Sequence, residues 1–238
     1  MTEEPESGGL ARAMFRWRSY APLVAIAGLC LGLARGRAAA PGRVGGWVAA
    51  GLALAALGLA LRLYCVGYAP AGTSGRHRRQ YAAALNTFGI YSVVRHPLYL
   101  GNVLVWAGAS LTSGWPAGAA VSALLGAAVF GAIARHEDAF LRERFGAGFE
   151  EWSRVTPAFL PRPALWRTAR RPFDWGRAVA SEYSTLHTLG ILALLFAALR
   201  ATAASGAAPG PWWWAGLALN TGLYGALRVW RRRARPAS

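Results

Sequence analysis

Lysine is missing from this 238-residue sequence, whose 26 basic residues are all arginine. Acid is scarce as well. Ten Asp and Glu leave a formal net charge of +16, and charged residues make up only 15% of the chain. Ordinary soluble domains carry roughly 25%. The shortage leaves long stretches with no charge at all. Cysteine is nearly absent: Cys30 and Cys65 imply no disulfide framework and match no metal-ligand spacing. Both lie in or beside apolar segments and read as small buried hydrophobes. No internal or inverted repeat is visible, and no acid falls in the middle of an apolar run. Both absences argue against a transporter.

What is present is apolar. Hydrophobic residues form 55% of the chain, and mean hydropathy is +0.28. So basic a chain invites a nucleic-acid interpretation. The placement of the arginines excludes it, because they cluster between uncharged segments as the positive-inside rule requires. Alanine, glycine and arginine richness together fit GC-rich coding, so the preference for Arg over Lys carries little functional weight.

A membrane span needs about 20 mostly apolar residues. Candidates are Tyr20 to Ala34, which is short, Gly45 to Leu63, Glu182 to Leu199 and Trp212 to Val229. Arg62 is expected to snorkel from the end of the second. Pro97 to Ala134 carries no charge over 38 residues. As one helix it would be roughly 57 Å long, so the breaker Thr112-Ser113-Gly114-Trp115-Pro116 folds it into a hairpin. The N-terminus mimics a signal peptide, with Arg12, Arg16 and Arg18, an apolar run and Ala38-Ala39-Ala40. Arg35, Arg37 and Pro41 oppose cleavage there, so the run is expected to be a retained helix. The expectation is an all-α, polytopic transmembrane helical bundle of about six spans, with a cytoplasmic cofactor-binding helix and loops.

Six spans place both termini on one side. That side collects the arginines of the N-terminus, of the second loop (Arg76, Arg78, Arg79 and Arg95), of the stretch Arg135 to Arg177, and of the C-terminus from Arg228 to Arg235. Arg35, Arg37, Arg43 and Arg200 fall opposite. The bias predicts cytoplasmic termini, most simply in a bacterial inner membrane. Trp212-Trp213-Trp214 fits an aromatic belt at the other surface.

Two polar regions then share the cytoplasmic face. Gly89-Ile90-Tyr91-Ser92-Val93-Val94-Arg95-His96-Pro97-Leu98-Tyr99-Leu100-Gly101-Asn102 sets a cation, an imidazole and two phenols where the chain enters the bilayer. Pro97 suits the first turn of a helix, whose free N–H groups and positive dipole end favour an anion. Gly89 and Gly101 permit close backbone approach. The second region begins as a helix at Arg135. There Glu137, Leu141, Phe145, Phe149 and Trp152 make one face, while Asp138, Arg142 and Glu151 fall elsewhere, toward water. On the residues alone, the first belt reads either as an arginine anchored at lipid headgroups beside a satisfied histidine, or as a ligand site.

The stretch Gly-Ile-Tyr-Ser-x-x-Arg-His-Pro-Leu-Tyr-Leu-Gly at 89 to 101 resembles the signature of the isoprenylcysteine carboxyl methyltransferase family. Further elements follow in the same order: Glu137-Asp138, Leu141, Phe145-Gly146, Phe149 with Trp152, and Pro157-Ala158-Phe159-Leu160-Pro161. Gly67-Tyr68-Ala69-Pro70 and Thr73-Ser74-Gly75-Arg76 are similar to a bacterial branch. The resemblance covers residues 45 to 161 and implies a methyltransferase core there. The remainder, 162 to 238, is then a cytoplasmic linker and two additional helices of one membrane domain.

The resemblance implies S-adenosylmethionine as methyl donor and a lipid-like acceptor. It places Tyr91, Arg95, His96, Pro97, Tyr99, Leu100, Glu137 and Leu141 around the donor, with no metal. Arg95, His96, Glu137 and Arg144 are the candidate catalytic residues: Arg95 for the donor's carboxylate, Glu137 for its ribose or ammonium, Arg142 or Arg144 for an acidic acceptor. An acceptor oxygen that is already anionic needs no base. An amine or thiol would want one, and His96 has the chemistry for it. Departures from the family pattern are Asp138 for the second Glu, and Phe149 and Trp152 for tyrosines, which puts contacts needing the longer arm or the hydroxyls in doubt. His187 reads as a membrane-edge histidine bonded to a neighbour. Methylation of a small amine or thiol, and a non-catalytic scaffold, stay open as alternatives; the oligomeric state is not legible.

Overall fold

The structure is a computed structural model that describes residues 20–69 and 84–233. Expectations resting on Arg12, Arg16, Arg18, Pro70, Thr73 to Arg79 and Arg235 lie outside the described residues. Among the described residues seven α-helices follow in order: α1 (Ala21–Ala34), α2 (Pro41–Tyr68), α3 (Pro97–Leu111), α4 (Pro116–Phe145), α5 (Ala147–Val155), α6 (Trp175–Ser205) and α7 (Pro211–Arg233). Short 3-10 turns occupy Ile90–Ser92 and Pro163–Leu165. Helices α1 to α4 each carry proline in the first turn, where its missing N–H costs nothing. The breaker between α3 and α4 turns at Gly114, whose φ is +72°.

The fold is the expected all-helical membrane bundle, with helices where the hydropathy placed six spans; α1 to α4 and α6 are apolar, whereas α7 falls short of the apolar character of a span. Gly42–Tyr68, Pro116–Phe145 and Trp175–Ser205 are long and apolar enough to cross a bilayer unaided. Helices α1 and α3, at 14 and 15 residues, reach only about 22 Å, short of the ~30 Å hydrocarbon core. Large apolar side chains such as Leu124 (71% exposed) and Leu219 (75%) point outward, as lipid-facing positions do.

Helices α2 and α3 run antiparallel along a seam of glycine. A Cβ on Gly58 would sit 2.7 Å from the Val105 nitrogen, and one on Gly108 would sit 2.4 Å from the Ala55 nitrogen. Backbones approach this closely only where side chains are absent. Gly101 belongs to the same seam: its Cβ would meet Arg62 Cγ at 2.7 Å. The close approach it permits is therefore that of a helix.

Arg62 does not snorkel. It forks onto Glu182 of α6, Nε to Oε2 and Nη2 to Oε1 both at 2.8 Å, and donates from Nη1 to Asn102 Oδ1 of α3. Glu182 is 2% exposed and also accepts from Thr185 Oγ1 at 3.0 Å. The hydropathy profile set Arg62 and Glu182 at the ends of two separate spans. With Glu182 buried and Arg62 largely so, each ion needs the other.

The expected single helix from Arg135 is broken. Helix α4 continues out of the apolar segment to Phe145, and Gly146, with φ +51°, turns the chain into α5. The face proposed across that junction is divided between two helices.

Candidate functional site

Two sequence motifs become one structure through backbone hydrogen bonds. The Arg95 nitrogen donates to Pro157 O at 2.8 Å and the His96 nitrogen to Ala158 O at 3.1 Å. The Arg162 nitrogen reaches Val93 O at 2.9 Å, and the Gly89 nitrogen reaches Arg167 O at 2.8 Å. Ser92 Oγ donates to Gly89 O at 2.7 Å and accepts from the Arg167 nitrogen at 2.9 Å. The segment before α3 is thereby laced to the segment after α5, and the lacing runs past residue 161 to Arg167.

Within this frame Arg95 ties three elements together. Nη1 donates to the Ser153 and Thr156 carbonyls at 2.8 and 2.9 Å, satisfying the end of α5. Nη2 meets Asp138 Oδ2 at 3.1 Å. Only Nε is buried without a partner. His96 is 4% exposed and lies between two carboxylates, with Nε2 2.8 Å from Asp138 Oδ1 and Nδ1 3.6 Å from Glu137 Oε2. Burial pushes its pKa down, but hydrogen bonds to Asp138 and then Glu137 outweigh that, so it ends above its ordinary value. Its Nε2 is within hydrogen-bond distance of Asp138, while Glu137 stands just beyond that distance from Nδ1.

Asp138 was expected to face water. Instead it is the shared anchor of Arg95 and His96, and the shorter arm makes both contacts. Its neighbour Glu137 keeps a side chain 37% exposed, against 17% for Asp138.

The open side of this cluster is a cavity of about 110 Å³ lined by Tyr91, Arg95, His96, Pro97, Tyr99, Glu137, Leu141 and Trp152, with Asn86 and Leu98. It passes Tyr91 and Asn86 into a cleft of about 250 Å³ that reaches Tyr64, Tyr68 and Arg170. Across Trp152 lies a wider polar cleft of about 410 Å³, with Ser92, Glu151, Thr156 and Arg167 on its wall. Tyr99 stacks on His96 with ring centroids 5.7 Å apart. Trp152 donates from Nε1 to Tyr91 O at 3.2 Å. Burial raises the Tyr91 phenol well above its ordinary value, so it stays protonated.

The structure therefore unites seven of the expected residues on one wall: Tyr91, Arg95, His96, Pro97, Tyr99, Glu137 and Leu141. Leu100 and Arg144 are not on it. Arg144 is exposed on α4, with its guanidinium 5.9 Å from the Phe145 ring. Arg142 spends itself on Glu150 at 2.5 Å. His187 bonds Asn220 Nδ2 at 3.0 Å and stacks on Tyr224, as expected of a structural histidine. Trp152 was legible as a motif position but not as a wall of the cavity, because a continuous helical wheel cannot anticipate the turn at Gly146; Asp138 does not line the cavity and acts through Arg95 and His96. Asn86 gave no signal. Among the described residues no three His, Cys, Asp or Glu side chains gather closely enough to hold a metal.

Fold and site define a polytopic helical membrane protein with an aromatic, carboxylate-edged cavity where two motifs meet at the bilayer boundary. Residues 47–148 match the phospholipid methyltransferase family, which agrees with the resemblance read from the motifs and supports a membrane methyltransferase. The chain is 41% identical over 117 residues to the cobalt-zinc-cadmium resistance protein CzcN of Cupriavidus metallidurans, covering 49% of each protein. It is 36% identical over 118 residues to the nickel-cobalt-cadmium resistance protein NccN of Alcaligenes xylosoxydans xylosoxydans, covering 50% of each. The chain spans about half the length of the curated relatives it matches. No solved structure matches it.

Proposed function

We propose that this chain is an S-adenosylmethionine-dependent methyltransferase acting on an acidic oxygen, phosphate or carboxylate, of a lipid-like acceptor at the cytoplasmic face of a bacterial inner membrane. The observation that carries this reading is the cavity edged by Glu137 and walled by Tyr91, Tyr99 and Trp152. Aromatic faces and a half-exposed carboxylate suit a sulfonium cation bearing a nucleoside. The first turn of α3 and the free Arg95 Nε suit the donor's carboxylate. The cavity alone is too small for the whole donor, and its continuation past Tyr91 and Asn86 supplies the remaining room. Leu100 and Arg144 drop from the proposed set; Asp138 and Trp152 join it.

When bound, the donor supplies an electrophilic methyl group. The protein's residues then have three tasks: to hold charge, to align and to exclude water. Alignment alone has precedent for effective molarities of roughly 10⁵–10⁸ M. His96 is the residue that would serve a protonated amine or thiol. With Nε2 held against Asp138 and Nδ1 turned toward Glu137, neither ring nitrogen is turned to an acceptor, so it is poorly placed as a base. That favours an acceptor oxygen already anionic. In this reading residues 45 to 161 are the catalytic core, strapped as far as Arg167, and both termini are cytoplasmic.

The test is titration of detergent-purified protein with S-adenosylhomocysteine, followed by incubation of membranes with methyl-labelled donor. Saturable binding that weakens in Glu137→Gln, and base-labile label on a lipid, are expected. Absence of saturable binding overturns the enzyme, and label on a thiol or amine overturns the acidic oxygen. The relatives' names speak of heavy-metal resistance. Geometry gives direct metal ligation by this chain no support among the described residues.

A further inference from the structure

Residues 156–173 join the end of α5 to the start of α6. They carry four arginines, Arg162, Arg167, Arg170 and Arg171, and no Asp or Glu. The segment is a strap pinned by its backbone. Its first end is bonded to Arg95 and His96, just before α3, and its middle to Gly89 and Ser92. Its far end rests on α2: the Asp174 nitrogen donates to Gly67 O at 3.0 Å, and Phe173 meets Tyr68 edge-on with centroids 5.1 Å apart. Arg177, in the first turn of α6, closes that junction by donating to Val66 O at 3.1 Å and Gly67 O at 2.9 Å. Helices α2 and α6 are each long and apolar enough to cross a bilayer. A strap tied to the end of one and the start of the other is level with the bilayer boundary.

Pinning through the main chain leaves the side chains free. All four arginines are exposed, and none meets a carboxylate among the described residues. Arg62, Arg95, Arg142 and Arg177 differ, for each of them does. Between the unneutralised arginines stand large exposed apolar groups: Leu160, which is 81% exposed, and Trp166, with Trp175 just beyond the strap. Aromatic and aliphatic side chains interleaved with arginine suit a segment lying in the headgroup layer. Four cations without counter-charges complement an anionic lipid surface. The strap is also part of the clefts beside it. Ala169, Arg170 and Arg171 line the continuation of the donor cavity, and Leu165 and Arg167 line the polar cleft across Trp152. Arg170 lies 3.6 Å over the Phe88 ring, which borders the same continuation.

We infer that the strap is a docking surface for anionic lipid headgroups, and that docking holds the donor cleft in its binding shape, so that donor affinity follows the charge of the membrane. The lipid contact stands on the strap alone; its link to the donor rests on the methyltransferase reading. Anionic headgroups engage Arg162 and Arg167 from outside, while the backbone of the same residues is bonded to Val93, Gly89 and Ser92 inside. A strap held from both sides keeps Ala169 and Arg170 against the cleft. On an uncharged surface only the inner bonds remain.

The test places the full chain in nanodiscs of phosphatidylcholine, alone or with phosphatidylglycerol at about one lipid in three. Hydrogen exchange of the strap amides reads docking, and S-adenosylhomocysteine titration reads the donor cleft. In the wild type, phosphatidylglycerol should slow exchange across the strap and tighten S-adenosylhomocysteine about fivefold, and both gains should shrink as salt is raised. The double variant Arg162→Gln, Arg167→Gln keeps every backbone bond of the strap, and neither residue lines the donor cavity or its continuation. It should match the wild type in phosphatidylcholine and lose most of both gains in phosphatidylglycerol. Arg162→Lys with Arg167→Lys should restore them, because the charge is what matters. Glycerol phosphate added to phosphatidylcholine nanodiscs should not reproduce them; if it did, the surface would be a site for free phosphate and the lipid reading would be overturned. Exchange and affinity indifferent to phosphatidylglycerol in the wild type overturn the proposal and leave the methyltransferase standing. Slowed exchange with unchanged affinity overturns the coupling. Slowed exchange in a chain that never binds S-adenosylhomocysteine supports the docking surface and overturns the methyltransferase.

Discussion

Two arginine–carboxylate clusters flank the first turns of α3, built from nearly the same side chains. Arg62, Glu182 and Asn102 join α2, α6 and α3; Arg95, Asp138 and His96 join the pre-α3 segment, α4 and α5. In the first, all three of the arginine's nitrogens are engaged and the carboxylate side chain is 3% exposed. In the second, Arg95 Nε has no partner and the adjoining Glu137 remains 37% exposed. Pairing carried to completion makes a strut. Pairing that stops short leaves the Glu137 carboxylate partly exposed on a cavity wall, which is what a ligand requires. The clusters should accordingly fail differently: the strut through stability, the site through binding.

The largest effect belongs to the strut. Glu182→Leu leaves Arg62 charged and unpaired in a dry interior, and should cost about 3–5 kcal/mol of stability. The double change Arg62→Met with Glu182→Leu should recover most of that, because an apolar pair of similar volume replaces an ion pair at little loss. Thermal unfolding in detergent measures both. A double variant as unstable as the single one would mean the cluster is a ligand site and not a strut.

Asp138→Asn should come next. It removes the charge shared by Arg95 and His96 and should cost about 1.5–3 kcal/mol, as lost bonds to charged groups do. It should also weaken S-adenosylhomocysteine binding, because the wall carrying Glu137 is no longer held. Glu137→Gln divides the two clusters most sharply. Being half-exposed, it should change stability by no more than about 0.5 kcal/mol, yet weaken S-adenosylhomocysteine about tenfold. Unchanged binding in Glu137→Gln would remove the carboxylate edge from the candidate site.

The contrast also marks what the sequence made legible. Uncharged runs, first-turn prolines and the Thr112-to-Pro116 breaker fixed the helices, because those signals are local. The Arg95-His96-Pro97 belt and the residues from Glu137 to Pro161 were legible as motifs, and the structure laces them together backbone to backbone. Pairings between distant helices were not. Arg62 and Glu182 lie 120 residues apart, and nothing in hydropathy distinguishes a snorkelling arginine from a forked one. Asp138 was misplaced because its partners, Arg95 and His96, come from the segment before α3, and a helical wheel does not show what packs against its polar side. A cavity of about 270 Å³ between the helices was invisible for a related reason: its wall is assembled from five helices, with α2 and α4 contributing one side chain each.

The smallest expected effect is that of pH on the open cluster. His96 has a folded-state pKa above its ordinary value of about 6.5. A histidine raised on folding binds its proton more tightly in the native state. Its stabilisation is therefore fully present below about pH 6.5 and is lost as pH rises through the higher folded value. Unfolding temperature should fall as pH rises above about 6.5 in the wild type, and less so in His96→Gln, which has no proton to lose. The Arg62→Met, Glu182→Leu double variant leaves His96 and both of its carboxylates in place, so it should retain the wild-type slope. If His96→Gln kept the wild-type slope too, the imidazolium between Asp138 and Glu137 would not be the species present near neutral pH. The argument against His96 as a base would then fall with it, and an amine or thiol acceptor would regain its standing.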